Sequence, residues 1–218
     1  MNYSPVKKKN PVVIMAEFSD IRFDARVKNE ATTLAKNGYY VKLHMYNSSI
    51  KNSHITAGDN IKYYIYSFKN RYINNSFRGV MKKYLEALIL LIKINTWIIF
   101  HKADFYHAHN LKFFVGFYIA SIFYRGKFIY DAHEIHSEHY EKDNIKGKLK
   151  NYINLINEKL ILSRCNAFIQ ASEERAEYIA KKYNISKPYV INNYVPYKEY
   201  NKGNDKIRKE LGLSSRIP

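Results

Sequence analysis

Short apolar runs alternate with segments of helical spacing along most of the chain, and this alternation constrains the fold more than any other feature. The runs fall at 11–16, 39–46, 61–68, 104–108, 128–130, 167–171 and 189–191. Between most of them, apolar residues recur with a helical period, most clearly over 25–37, 77–94, 111–124, 146–164 and 173–183. Strands that are short, apolar throughout and separated by helices predict a mainly parallel sheet covered on both faces. The expected fold is therefore a doubly wound, Rossmann-like α/β domain of about seven strands. In such sheets ligands bind beyond the carboxyl ends of the strands. That rule singles out the connections at 17–26, 107–111, 131–136, 172–174 and 192–196.

Composition narrows the setting. With 218 residues the chain can bury one large core. The single cysteine, Cys165, excludes a disulfide framework and a cysteine-rich zinc site, and fits a reducing, cytoplasmic setting. Pro11 and Glu17 leave the first apolar run too short for a signal peptide. The greasiest stretch, 84–100, is interrupted by Glu86, Lys93 and Asn95 and falls short of a membrane-spanning helix.

A formal net charge of +17 suggests a polyanionic partner, nucleic acid or an anionic membrane surface. Part of this charge follows from a general Lys, Asn, Ile and Tyr bias. Lysines and arginines are spread along the chain rather than interleaved with aromatics in one stretch, which argues against nucleic acid. The exception is Lys69, Arg71, Arg78, Lys82 and Lys83, which precede an apolar helix in a region whose sole acid is Glu86. Such a helix suits the inner face of a cell membrane as a peripheral element, or simply covers the sheet.

The candidate loops carry no nucleotide fingerprint. The first glycine is Gly38, and neither G-x-G-x-x-G nor a P-loop occurs. Asp24 is placed to cap the first helix, with Arg26 in its opening turn. Six of the eight histidines lie between His101 and His139, which raises metal binding. Yet the HEIH of KFIYDAHEIHSEHYE (127–141) is not H-E-x-x-H, and no metal is expected. His133 and Glu134 follow the 128–130 strand at a helix start. That position suits an oxygen-rich ligand, and equally a capped helix with exposed histidines.

Several of these segments resemble the N-terminal half of family 4 retaining glycosyltransferases. FDARVKNEATTLAKNGYYVKL resembles their opening acidic-x-Arg helix and following strand, and ADFYHAHN their D-x-x-x-x-H-[DN] strand end. KFIYDAHE is similar to the Y-D-x-H-E element of members that build bacterial surface polysaccharides. LILSRCNAFIQASEERAEYIAKKY and YVINNYVP extend the likeness, which spans about residues 11–213.

The resemblance implies a GT-B fold, in which two Rossmann-like domains enclose the active site. This chain would supply the acceptor-side domain, 1–197, followed by a linker and short helix, 198–218. His133 and Glu134 would be the catalytic residues, His133 against the transferred sugar. Asp24, Arg26, His109 and Asn110 would line the substrate cleft, with Asn193 near the passage to the second domain. No cofactor is implied; a nucleotide sugar is the donor and a lipid-linked saccharide of capsule, exopolysaccharide or lipopolysaccharide synthesis the acceptor. The chain carries no glycine after its first strand, where many members do, and no E-x7-E donor element. A C-terminal donor domain or partner subunit would complete it, and the chain alone is expected to be inactive.

Overall fold

The computed structural model describes residues 10–20, 24–47, 53–58, 60–67, 77–132, 134–135, 145–192 and 210. Among the described residues, eight strands and five α-helices follow in chain order. They are β1 (Val12–Asp20), α1 (Ala25–Lys36), β2 (Tyr40–Asn47), β3 (Ser53–Ala57), β4 (Ile61–Ser67) and α2 (Phe77–Ile99), then β5 (Phe105–Ala108), α3 (Phe114–Tyr124), β6 (Lys127–Ala132), α4 (Ile145–Leu162), β7 (Ala167–Gln170), α5 (Glu173–Tyr183) and β8 (Tyr189–Val190). They form one sheet of order β3-β4-β2-β1-β5-β6-β7-β8. Every pairing is parallel except β3 with β4. From β1 the chain winds outward to β2 and β4, then returns through α2 to β5 on the other flank of β1. The winding reverses between β1 and β5, so the ligand-binding edge of this topology lies above these two strands.

The doubly wound expectation is met, with one strand more than the sequence suggests. SHITA forms β3, antiparallel to β4 at the sheet edge. Its mixed polar composition hides it, because an edge strand need not be apolar on both faces. Helix α2 runs five residues past the expected 94. Asn95 does not stop it, because its amide is used: Nδ2 donates to the Leu91 carbonyl at 2.9 Å, and Oδ1 accepts from the Gly116 N–H at 3.0 Å. A Cβ on Gly116 would lie 2.5 Å from Asn95 Oδ1 and 3.1 Å from its Cα, so glycine sets how closely α2 and α3 approach.

Strand alternation sorts the core into two clusters. Val13, Met15, Val41, Leu43 and Met45 point to one face and pack on Val27 and Ala31 of α1. Ile14, Ala16, Tyr106, Phe128, Tyr130 and Phe168 point to the other, beneath Ile94 and Ile98 of α2, Phe117 of α3, Ile161 of α4 and Ile179 of α5. The second cluster is the larger and more aromatic, with Tyr106, Tyr130, Phe113, Phe117 and Phe128 fully buried. Each such ring removes about 150–250 Å² from water.

Candidate functional site

The carboxyl ends of β1, β5 and β6 meet in a buried polar cluster. Asp24 is the N-cap of α1: Oδ1 accepts the Val27 N–H at 3.1 Å, and Oδ2 accepts the Ser19 hydroxyl at 2.7 Å. The cap fixes the first turn, and that turn delivers Arg26 inward rather than to the surface. Its guanidinium grips Asp131 at the end of β6. Nη2 lies 2.7 Å from Oδ1 and 3.0 Å from Oδ2, and Nε lies 3.2 Å from Oδ2. Nε also reaches Glu30 Oε1, one helical turn on, at 3.0 Å. Asp131 has no solvent exposure and Arg26 only 7%.

His109 completes the cluster from the end of β5. Its Nδ1 is 3.3 Å from Asp131 Oδ2 and 3.8 Å from Glu30 Oε2. His107, two residues earlier on the same strand face, brings its ring centroid to 4.2 Å from that of His109. Glu30 thus turns one oxygen to Arg26 and the other to His109, whereas Asp131 gives both oxygens to Arg26 and shares Oδ2 with His109. Glu30, His107, His109 and Asp131 gather donor atoms within 4.8 Å of one another, a set that could hold a cation. Among the described residues of the cluster, Arg26 places its positive charge between the two carboxylates.

Asn110 caps the turn at Leu111–Phe113, its Oδ1 accepting the Lys112 N–H at 3.1 Å while Nδ2 points to Glu17 Oε1 at 3.4 Å. Lys112 lies 4.4 Å above the Phe18 ring; desolvation lowers its pKa and the Glu17 carboxylate opposes that shift. Glu134 is exposed just beyond β6. The structure therefore gathers Asp24, Arg26, His109 and Asn110 at one edge, with Glu134 following β6 out of the same edge. His133 and Asn193 lie outside the described residues.

Sequence reasoning marked the connections that begin at Glu17 and Asp131 but gave neither residue a role, and it did not mark Glu30. Signals for them existed. The i, i+4 spacing of Arg26 and Glu30 puts them on one helix face. Two-residue alternation puts Asp131 on the same sheet face as Ile129, beside His107. Next to the cluster, a groove of about 430 Å³ runs along that face, with an apolar floor of Val13, Phe105, Ile129 and Ile169 and a polar end at Arg26, Glu30 and His107.

No protein-family model matches this sequence, and no curated protein matches it. Solved structures do match the fold. Sucrose-phosphate synthase from Thermosynechococcus elongatus superposes with a TM-score of 0.65 at 11% identity, over 96% of this chain and 54% of that one. Arabidopsis thaliana UGT89C1 in complex with UDP-L-rhamnose gives 0.55 at 11% identity, over 96% of this chain and 55% of that one. Anabaena Alr3699/HepE with UDP and glucose gives 0.55 at 15% identity, over 93% and 50%. The chain spans about half the length of these proteins and has the fold of the Rossmann-like half of a GT-B glycosyltransferase.

Proposed function

We propose that this chain is the acceptor-side half of a glycosyltransferase. The observation that carries the reading is the set of polar side chains at the switch-point edge, Asp24, His109, Asn110 and Glu134, on a fold whose solved counterparts include complexes with UDP and sugars. The reaction moves a hexose from a nucleotide sugar to a hydroxyl of a lipid-linked saccharide, in the synthesis of a bacterial capsule, exopolysaccharide or lipopolysaccharide. It takes place at the inner face of the cell membrane, where such acceptors are presented. A C-terminal donor domain or a partner subunit holds the nucleotide.

In this scheme His133 and Glu134 face the transferred sugar, Asn110 and Asp24 orient the acceptor, and Asn193 leads toward the donor half. Arg26 acts through Asp131 and Glu30, fixing the first turn of α1 against the end of β6 so that the connections around them hold their positions. Such a residue is a positioning group, because its guanidinium is already committed.

The test joins the chain to a donor-binding half and supplies labelled UDP-, GDP- and ADP-hexoses with saccharide acceptors. Transfer by the assembled protein, none by the chain alone, and at least a hundredfold loss of turnover in His133→Ala without unfolding are expected. Failure of the assembled protein with every donor, or robust turnover by the chain alone, overturns the assignment.

A further inference from the structure

The outer surface of the helical layer is apolar in a way the core does not explain. On α2, Met81, Tyr84, Leu85, Leu88, Ile89 and Ile92 are all more than half exposed. Their spacing of 3, 1, 3, 1 and 3 is that of a single helical stripe. The stripe that packs on the sheet is a different one, Leu90, Ile94 and Ile98. Helix α4 repeats the pattern with Ile145, Leu149, Tyr152, Ile153, Ile156 and Leu160, the first of them 85% exposed. Helix α3 adds Val115, Ile119, Ile122 and Phe123. Seventeen of the twenty-two exposed large apolar side chains among the described residues lie on these three helices. Scattered exposed apolar residues need no explanation; three aligned stripes do.

The helices are neighbours. Gly116 of α3 bonds Asn95 of α2, and Arg164, just past α4, lies 5.8 Å from the centroid of the Tyr118 ring of α3. Their charge is one-sided: α2 and α4 carry eight lysines and arginines against Glu86 and Glu158, and α3 carries no charge. Glu158 is buried against the Tyr183 hydroxyl, so it does not offset the cations at the surface. Apolar stripes flanked by cations, with acids withdrawn, fit an anionic lipid interface. No helix among the described residues is long and apolar enough to cross a membrane, so these lie along it.

We propose that the outer faces of α2, α3 and α4 together form the surface by which this protein lies on an anionic membrane, with apolar side chains at the headgroup boundary and the lysines among the headgroups. Helices of a doubly wound domain run antiparallel to their strands, so α2 ends and α3 and α4 begin at opposite ends of the sheet. The start of α2 and the starts of α3 and α4 therefore share the edge that carries Asn110 and Glu134. All three stripes run away from that edge, which holds it beside the bilayer. The purpose of the surface rests on the lipid-linked acceptor proposed above; its existence rests on exposure, spacing and charge.

The test is sedimentation of the chain with phosphatidylcholine vesicles, with and without phosphatidylglycerol. Binding should require phosphatidylglycerol and weaken with salt. Leu85→Glu, Ile119→Glu and Ile153→Glu combined should lower partitioning at least tenfold with an unchanged unfolding midpoint. Should that variant misfold, a polarity-sensitive dye on Leu88→Cys in a Cys165→Ser background serves instead, shifting to the blue with vesicles while the same dye on Asn29→Cys of α1 does not. Absence of binding at low salt, wild-type binding by the triple variant, or equal dye shifts on α1 and α2 overturns the proposal. So does a self-associated chain that the triple variant dissociates and that ignores vesicles. Transfer to a soluble saccharide by the assembled enzyme should survive the triple variant, so loss of membrane binding and failure of the glycosyltransferase reading remain distinct results.

Discussion

The two faces of the sheet handle charge in opposite ways. On the α1 face, charge is inside: Arg26, Glu30 and Asp131 are enclosed beneath a helix whose outward residues, Asn29, Thr33 and Lys36, are polar. On the α2–α4 face the interior is mainly aromatic and apolar, with Glu158 held against the Tyr183 hydroxyl, and much of the exterior is apolar too. Helix α5, on that same face, shows what an ordinary covering helix looks like. Glu173 and Glu174 open it next to the Ser172 cap, Lys181 and Lys182 close it, and its outer face is charged. The asymmetry of α2–α4 is thus not a demand of the fold. The buried charges sit where strand ends meet α1, while the outer apolar stripes of α2–α4 lie outside both core clusters.

The largest effect is expected from breaking the ionic cluster. Asp131→Ala leaves the Arg26 guanidinium enclosed with Glu30 as its remaining counter-ion, and removal of one member of a buried pair typically costs about 3–5 kcal/mol. Arg26→Met with Asp131→Leu removes both charges of that pair and leaves Glu30 beside His109, so it should recover part of that loss, since apolar replacements of buried pairs are often neutral. Urea denaturation of the two variants measures the contrast. If the single and double variants are equally unstable, packing rather than unpaired charge governs this face.

Much of this arrangement was legible in the sequence, and the limits of that legibility are physical. Short runs that are apolar throughout located seven of the strands, because a strand buried on both faces can be read from composition alone. β3 escaped because an edge strand need not be apolar. The Asp24 cap was readable from its place before the helix, and the structure bears it out. The partner of Arg26 was not, since Asp131 is 105 residues away and only the sheet order brings β6 beside β5 and toward α1. The outward stripes of α2 and α4 are present in the sequence. Which of two apolar faces a helix buries, however, is decided by the sheet beneath it.

The two stripes of α2 can be compared directly. Ile94→Ala, in the core at 1% exposure, should cost about 2–5 kcal/mol. Leu88→Ala, on the outer stripe at 53% exposure, should stay within about 0.5 kcal/mol. A large loss from Leu88→Ala in the chain alone would mean that the outer stripe packs within the chain, and the surface assigned above would no longer be free. A smaller effect, about 1–3 kcal/mol, is expected from Gly116→Ala, because the new methyl meets Asn95 at a helix crossing that has no space for it. Asn95→Ala should relieve part of that strain if the contact is its source.

The smallest effect concerns pH, and it separates the faces once more, because both groups lie on the aromatic side. Burial pushes the Tyr106 hydroxyl up to about 12 from 10.0, and the Cys165 thiol up to about 11 from 9.0. The Tyr106 oxygen donates to the His101 carbonyl at 3.0 Å and accepts the Ala103 N–H at 3.0 Å, so its proton is part of the turn before β5. In both groups the folded state holds its proton more tightly than the unfolded state does. The stabilisation is therefore full below the unfolded values and declines as pH rises, from about pH 9 to 11 for Cys165 and about pH 10 to 12 for Tyr106. Cys165 is partly exposed, so solvent limits its share. Urea midpoints should accordingly fall across pH 9–11, and Cys165→Ala should flatten the lower part of that decline while leaving the upper part intact. An unaltered slope between pH 9 and 10 in the variant would mean that the thiol is as accessible to solvent when folded as when unfolded, and that the aromatic face is open at the end of α4.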